Sequence, residues 1–379
     1  MNRRELLGRT ALLGLGATLG SKITLHSRAT WAAADPAAAL AQLANTILVK
    51  DVHGVAAAPI SAVKLDTDEL AKIKGMNATA AIVMHYGGND WSRAQIQALQ
   101  TQFASMGIKV IAVTDAGFKA EKQVSDIETV LTQKPHIIIG VPVDPAATAP
   151  AFKAAAGQGV KIVFANFAPN GLVAGKDYVS MVSADEYANG VAAALLLVQA
   201  LGGKGEVGLV YHAADFHVTR QRYEAVKATL KDYPDIKVVA EQGIGGPDFP
   251  GDAERAASAM LISHRRIKGF WAVWDVPAEG VISAARTAGR DDLVITTIDL
   301  GENVAIDMAS GGFVKGVGAQ RVFDQGTTEA LLAGYGLLGK EAPPYVASPA
   351  LPVTKANLLE AWQIVYHSPP TAKITKSMG

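Results

Sequence analysis

The chain has 379 residues, 49% of them hydrophobic and 18% charged, with 37 Gly, 17 Pro and a formal net charge of zero. That length suits two domains with separate cores, and the zero charge argues against a polyanionic partner. With no cysteine, disulfides, thiolate catalysis and cysteine-ligated metals are excluded, and a lipidated N-terminal cysteine is not expected.

The chain opens Asn2-Arg3-Arg4-Glu5-Leu6-Leu7, a twin-arginine pair leading into the short apolar run from Thr10 to Gly20. That run is too short to span a bilayer comfortably, and Ala32-Ala33-Ala34 supplies the small residues of a signal peptidase site. Residues 1–34 are therefore expected to be a Tat-like signal peptide cleaved near Ala34, although Leu6 and Gly8 replace the phenylalanine and lysine common there. The alternative is an amphipathic N-terminal helix. Five basic residues against Glu5 give this segment +4, so the remainder carries −4, which argues against binding nucleic acid. An exported chain without a lipid anchor needs an outer membrane to retain it, so a periplasmic location is expected.

Residues 35–79 fit no regular series and read as an extension packed on the first lobe. From Ala80 short apolar strands alternate with amphipathic helices. Strands are expected over Ala80–His85, Lys109–Asp115, His136–Val143 and Lys161–Phe167, and helices over Arg93–Met106, Lys119–Gln133 and Ala147–Gly157. The rhythm restarts after Ser183. Helices are expected over Asp185–Leu201, Val218–Asp232, Asp252–His264 and Pro277–Ala288. Strands are expected over Glu206–His212, Lys237–Gln242, Gly269–Asp275, Leu293–Asp299 and Phe313–Gly318. Continuous apolar strands need a sheet covered on both faces. The pattern predicts an α/β fold of two doubly wound parallel-sheet lobes. Ala192–Leu201, the most apolar later run, is about half a membrane span.

Ligands of open parallel sheets bind beyond the carboxyl ends of the strands. The residues there are Asn89, Asp90, Trp91, Asp115, Asn166 and Phe167 in the first series, and Arg220, Trp274, Asp275, Asp299 and Gln320 in the second. Carboxylates, amides and an arginine among large rings suit a small hydroxylated ligand, which needs polar partners for its hydroxyls and flat faces for its C–H groups. Simpler roles stand beside this one. Trp91 also suits a core cap, Arg220 an exposed helix start, and Asp275 or Asp299 a helix N-cap.

Over about 80–350 the chain resembles the type I periplasmic binding proteins, specifically the ribose-binding-like sugar group. The residues that carry the likeness are Asn89 and Trp91, Thr219-Arg220-Gln221-Arg222, Trp274-Asp275, Ile298-Asp299 and Gly318-Ala319-Gln320. The resemblance implies ligand contacts from Asn89 and Trp91 on one lobe and from Arg220, Asp299 and Gln320 on the other. It also implies three crossings between lobes, near Ser183–Asp185, Gln320–Val322 and Tyr345–Ser348. The lobes would then comprise 80–183 with 321–345, and 184–320 with 346–356, leaving 357–379 as a tail. Two positions depart from the group: Asn166-Phe167 stands where Asp-Arg is common, and Trp274 where Asn is common. Both make the cleft less polar.

The implied function is capture of a sugar or polyol by hinge closure and delivery to an ABC permease in the inner membrane, by a monomer with no cofactor and no catalytic role. Enzyme motifs are missing. The histidines show no metal spacing, Gly243-Ile244-Gly245-Gly246 runs into Pro247 rather than a helix, and neither a nucleophile elbow nor a Walker loop occurs. An exported oxidoreductase, or a sensory ligand-binding protein for chemotaxis or a kinase, is the competing reading. A repressor of this fold would need a DNA-binding helix-turn-helix in front of it.

Overall fold

The computed structural model describes residues 35–51 and 54–379, so the expected signal peptide lies outside the described residues. In chain order the elements begin with α1 (Pro36–Leu43), β1 (Ala58–Pro59), α2 (Thr67–Gly75), β2 (Thr79–Met84), α3 (Asp90–Ser105), β3 (Lys109–Asp115) and α4 (Ala120–Thr132). Then come β4 (Ile137–Gly140), α5 (Ala149–Gly157), β5 (Lys161–Ala165), β6 (Ser180–Ala184), α6 (Glu186–Ala200), β7 (Gly205–His212) and α7 (His217–Leu230). They continue with β8 (Ile236–Ile244), α8 (Phe249–Ser263), β9 (Ile267–Ala272), α9 (Asp275–Thr287), β10 (Val294–Ile298), α10 (Glu302–Ala309) and β11 (Val314–Ala319). The chain ends with α11 (Val322–Leu338), β12 (Tyr345–Ser348), β13 (Leu351–Val353), α12 (Leu358–Tyr366) and α13 (Ala372–Ser377).

Two sheets form, in the orders β1-β12-β6-β5-β4-β2-β3 and β13-β11-β10-β9-β7-β8. Every named pair is parallel except β11 with β13. The inner strands are apolar on both faces because helices cover both. All of β4 is buried, as are five of the six residues of β2, whereas the edge strand β3 is exposed or half-buried throughout. The two doubly wound lobes expected from the strand–helix rhythm are present.

Helix α6 explains its own composition. Twelve of its 15 residues are buried, since it packs against α1, α7, β10 and β11 at once. A helix apolar all round is a buried helix. Its approach to β11 is close: a Cβ on Gly318 would sit 2.4 Å from the Asn189 backbone carbonyl, so a side chain there would push helix from sheet. No helix among the described residues is long and apolar enough to cross a membrane.

The chain crosses between lobes where β6 leads into α6 and where β11 leads into α11, close to two expected crossings. The third needs correction. Residues 345–348 are not hinge but β12, paired on both sides with β6 and β1, and the crossing falls at Pro349-Ala350, before β13 joins the second sheet. The extension also differs from expectation. Only its later part packs on the first lobe, through β1 and through α2 against α11. Helix α1 buries Ala39, Leu40 and Leu43 against Ala188, Val191, Ala192 and Leu195 of α6, and Asp185 accepts from the backbone N–H of Leu48 and of Val49. Residues 36–51 and 54–59 thus bridge the lobes, because the apolar face of α1 finds its match on α6. The tail 357–379 is mostly helical: α12 and α13 pack on α11, β13 and α10, and the Tyr366 hydroxyl donates to Leu300 O.

One buried acid yields a prediction. Glu329 of α11 faces Gln95 of α3, whose Nε2 donates to Glu329 Oε2 at 2.6 Å, while Glu329 Oε1 and Gln95 Oε1 have no partner. Burial raises the Glu329 carboxyl to about 8, with the Gln95 bond opposing. The folded state therefore holds a proton that the unfolded chain releases near 4.5. Stability from this group is complete below that value and is lost as pH rises towards 8. Glu329→Gln is expected to flatten the fall in stability between pH 5 and 8, by at most about 1.4 kcal/mol per pH unit. Melts that keep the wild-type pH slope would contradict it.

Candidate functional site

The first sheet winds outward from β2 to β3 and from β2 to β4, and the second repeats this with β7, β8 and β9. Each sheet thus has a point where strand order reverses, and loops beyond carboxyl ends diverge there to leave a crevice. The loops after β2, β3 and β5 meet those after β7, β8, β10 and β11.

Among the described residues, two hydrogen bonds and two ring pairs join the lobes across this gap. Trp91 Nε1 donates to Gln320 Oε1 at 3.2 Å, and Asp90 Oδ2 accepts from Glu302 N at 2.8 Å. The Phe118 and Phe249 rings lie 6.2 Å apart, and those of Phe167 and Phe216 5.2 Å, both edge to face.

Behind Trp91 lies a charged network. Gln320 Nε2 donates to Asp299 Oδ1 at 2.6 Å, and Asp299 Oδ2 accepts from Arg222 Nη1 at 3.2 Å. Arg222 Nε donates to Glu186 Oε2 at 2.7 Å, and Nη1 also reaches Val273 O at 3.2 Å. Burial opposes the Arg222 charge, but Asp299 and Glu186 outweigh it and hold the guanidinium protonated. Burial raises the Glu186 carboxyl to about 7 despite Arg222. Because Glu186 opens α6 and Asp299 closes β10, one guanidinium ties the first crossing to the cleft.

Arg220 stands outside this network. Its side chain is 46% exposed and paired with Asp215, whereas that of Arg222 is 4% exposed. The reason is helical phase: α7 buries Val218, Thr219, Arg222, Ala225, Val226 and Thr229, and two residues turn a helix by about 200°. Glu186 was missed as well, and no local signal marked it. The apolar stripe of α7 did mark Arg222.

The remaining expected residues divide. Asn89 is the N-cap of α3, its Oδ1 accepting from Ser92 N at 2.9 Å. Asp90 also pairs with Arg93. Asp115 is exposed and turned back onto Gly117 N at 2.8 Å, so it joins no lobe-to-lobe contact. Asn166 holds a positive φ of 70° and is buried with Oδ1 unpartnered. Asp275 is the first residue of α9 rather than its N-cap, and Oδ1 accepts from Val276 N at 2.8 Å. Burial, then Asp299, and also Asp90 and Glu279, raise its carboxyl far above the usual range. Gly301 makes room for it, since a Cβ there would lie 2.3 Å from Asp275 Oδ2.

Rings line much of the rest, several of them not anticipated. Trp271 is fully buried in the core, while Trp274 at the strand end packs on Phe249 (4.9 Å) and His212 (5.5 Å). Phe118 stacks on Tyr86 at 4.8 Å and meets His85 edge-on at 5.1 Å. Burial lowers His85 to about 4 and also lowers His212. The His85 imidazole is therefore neutral at pH 7. Phe118, Phe216 and Phe249 follow the carboxyl ends of β3, β7 and β8 by three to five residues, in the same kind of loop as the expected residues. Among the described residues no His, Asp or Glu cluster could hold a metal ion.

Comparison with known proteins agrees with this geometry. The D-apiose import binding protein of Actinobacillus succinogenes is 26% identical over 148 residues, 39% of this chain and 47% of that protein. The xylitol-binding protein of Mycolicibacterium smegmatis is 26% identical over 194 residues, 51% of this chain and 54% of that one. The chain thus spans about half the length of these two relatives. A solved ABC sugar transporter subunit from Rhodobacter sphaeroides aligns with a TM-score of 0.64 and 27% identity, covering 74% of this chain and 99% of that one. The model of the periplasmic binding protein domain matches residues 80–341, from β2 through α11, which takes in both lobes and the cleft between them. The chain therefore belongs to the periplasmic binding protein family and has its type I architecture.

Proposed function

We propose that this chain captures a small hydroxylated ligand, a sugar or polyol, between its lobes and presents the closed form to an ABC permease in the inner membrane. It acts in the periplasm as a monomer, after export on the segment before Ala34, and transforms nothing chemically. The observation that carries this reading is the run Trp91–Gln320–Asp299–Arg222, in which a ring from one lobe meets hydrogen-bonding groups of the other at the carboxyl ends of facing sheets. A ligand that contacts both lobes shifts the equilibrium towards the closed form. The names of the D-apiose and xylitol proteins support the ligand class. The lobes proposed to close are those built on the two sheets.

A thermal-shift screen over pentoses, hexoses and polyols tests it. A ligand that binds only the folded state adds about 2.7 kcal/mol of stability at 100 times its Kd. At least one sugar or polyol is expected to raise Tm. Substrate turnover, or a chromophore or nucleotide that purifies with the protein, would instead favour the exported oxidoreductase.

A further inference from the structure

Residues 36–51 lie before the matched family region, which starts at residue 80, and they touch both lobes where the chain crosses between them. Ala39, Leu40 and Leu43 of α1 pack with Ala188 and Val191 of α6 and with Ala350, so α1 covers the first and third crossings together. Beyond α1, two neighbouring residues part company. Leu48 packs on the α6 side, whereas Val49, 2% exposed, is buried in the first-lobe core with Val83, Phe164 and Ala347. The backbone N–H groups of both donate to Oδ2 of Asp185, the buried residue between β6 and α6. Asp185 Oδ1 accepts from Ala188 N at 2.8 Å, and Asp185 N donates to Ser348 O, at the end of β12, at 2.9 Å. Burial raises the Asp185 carboxyl to about 6, and the three N–H groups oppose that rise by favouring its charged form. The next residue, Glu186, holds Arg222 and through it Asp299 in the cleft. Two consecutive carboxylates at one crossing thus serve different neighbours, one the segment before the matched region and the other the cleft.

We propose that residues 36–51 are a strap over the hinge, pinned by Asp185, that holds the lobes near the closed arrangement and thereby sets ligand affinity. This goes beyond the binding-protein reading above and rests on it only for the ligand. The Leu48 and Val49 Cα atoms are about 3.8 Å apart along the chain, and each side chain is seated in a different lobe. The segment therefore has no slack to follow one lobe swinging away from the other. Opening must unseat one of the two residues or break the bonds to Asp185, and buried N–H groups left without partners are costly. The strap contacts coexist with the bonds across the gap, Trp91 to Gln320 and Asp90 to Glu302 N, so they stabilise the arrangement in which the cleft is shut. Apparent affinity scales with the fraction of molecules in the binding-competent state. Asp185 is thus a positioning residue, changing Kd through the strap without touching the ligand.

Single-molecule energy transfer on the full mature protein, residues 35–379, tests it. The sequence contains no cysteine, so dyes go only where cysteines are introduced. Lys119→Cys and Gln242→Cys, at exposed positions beyond β3 and near the end of β8, report the width of the cleft mouth. Two variants reach the strap from different ends. Asp185→Asn keeps an acceptor for Ala188 N but turns a donor towards Leu48 and Val49. Leu43→Glu places a charge on the buried face of α1 and leaves both sheets untouched. With no compound added, each variant is expected to move most molecules from the short to the long dye distance. The Kd for D-ribose or xylitol is expected to rise about 10-fold, as a tenfold loss of the closed fraction requires. If Asp185→Asn does not fold, Leu43→Glu alone decides. Two folded variants that keep the wild-type distances, or a shift in only one of them, which would part Asp185 from the strap, would overturn the inference. If no sugar or polyol binds, the proposed function fails, while the unliganded distances still judge the strap.

Discussion

Replacing Arg222 with methionine is expected to destabilise the protein by about 3–5 kcal/mol, whereas Arg220→Ala, two residues earlier, should change stability by less than about 0.5 kcal/mol. The contrast follows from burial. Arg220 is a surface residue paired with a loop aspartate, and such pairs contribute little. Arg222 neutralises both Glu186 and Asp299 away from solvent, and its removal leaves two buried carboxylates uncompensated. The Glu186 carboxyl already lies at about 7, raised from 4.5 by burial with Arg222 opposing. Without the guanidinium it rises further. The folded variant then binds more protons than the unfolded chain across neutral pH, and its stability falls as pH rises. The deficit should be smaller at pH 5 than at pH 8. Urea denaturation of wild type and both variants at the two pH values checks this, and equal deficits would mean that the network carries no uncompensated charge.

The second large effect concerns binding. Asp299→Asn is expected to weaken the ligand found by the thermal-shift screen by about 10- to 150-fold, the range of a hydrogen bond to a charged group. Asparagine is the informative replacement because Asp299 holds a positive φ of 69°, which asparagine tolerates and alanine does not. Arg222 keeps Glu186, so the unliganded melt should move far less than in Arg222→Met. Calorimetry on wild type and variant decides the matter. If affinity is unchanged, Asp299 only positions Arg222, and the ligand anchors elsewhere in the cleft.

Most of the architecture was legible along the chain because parallel-sheet strands are buried on both faces and appear as apolar runs, each followed by a one-sided helix. Ile137–Gly140 and Phe270–Ala272 are examples, as is the restart of the series after Ser183. The short strands β12 and β13 were not legible. Tyr345–Ser348 and Leu351–Val353 have too few residues for periodicity, and they become strands only because β6 and β11 offer open edges. The place of the extension was hidden for a related reason: α1 carries an ordinary apolar face, and only the folded α6 shows which surface matches it.

For the candidate site, the sequence by itself determined which residues stand at the strand ends, since the topology of a wound sheet sends those ends to one crevice and brings Trp91, Asp299 and Gln320 within hydrogen-bonding reach. Only the tertiary structure decided how those groups are spent: Asn89 on a helix cap, Asp115 on its own turn, Arg222 rather than Arg220 on the buried carboxylates, and Phe118 and Phe249 across the gap. The physical reason is that a side chain's hydrogen-bonding capacity is finite and is claimed first by nearby backbone and buried charge. Those claims depend on helix phase and on contacts hundreds of residues apart, which no local pattern records.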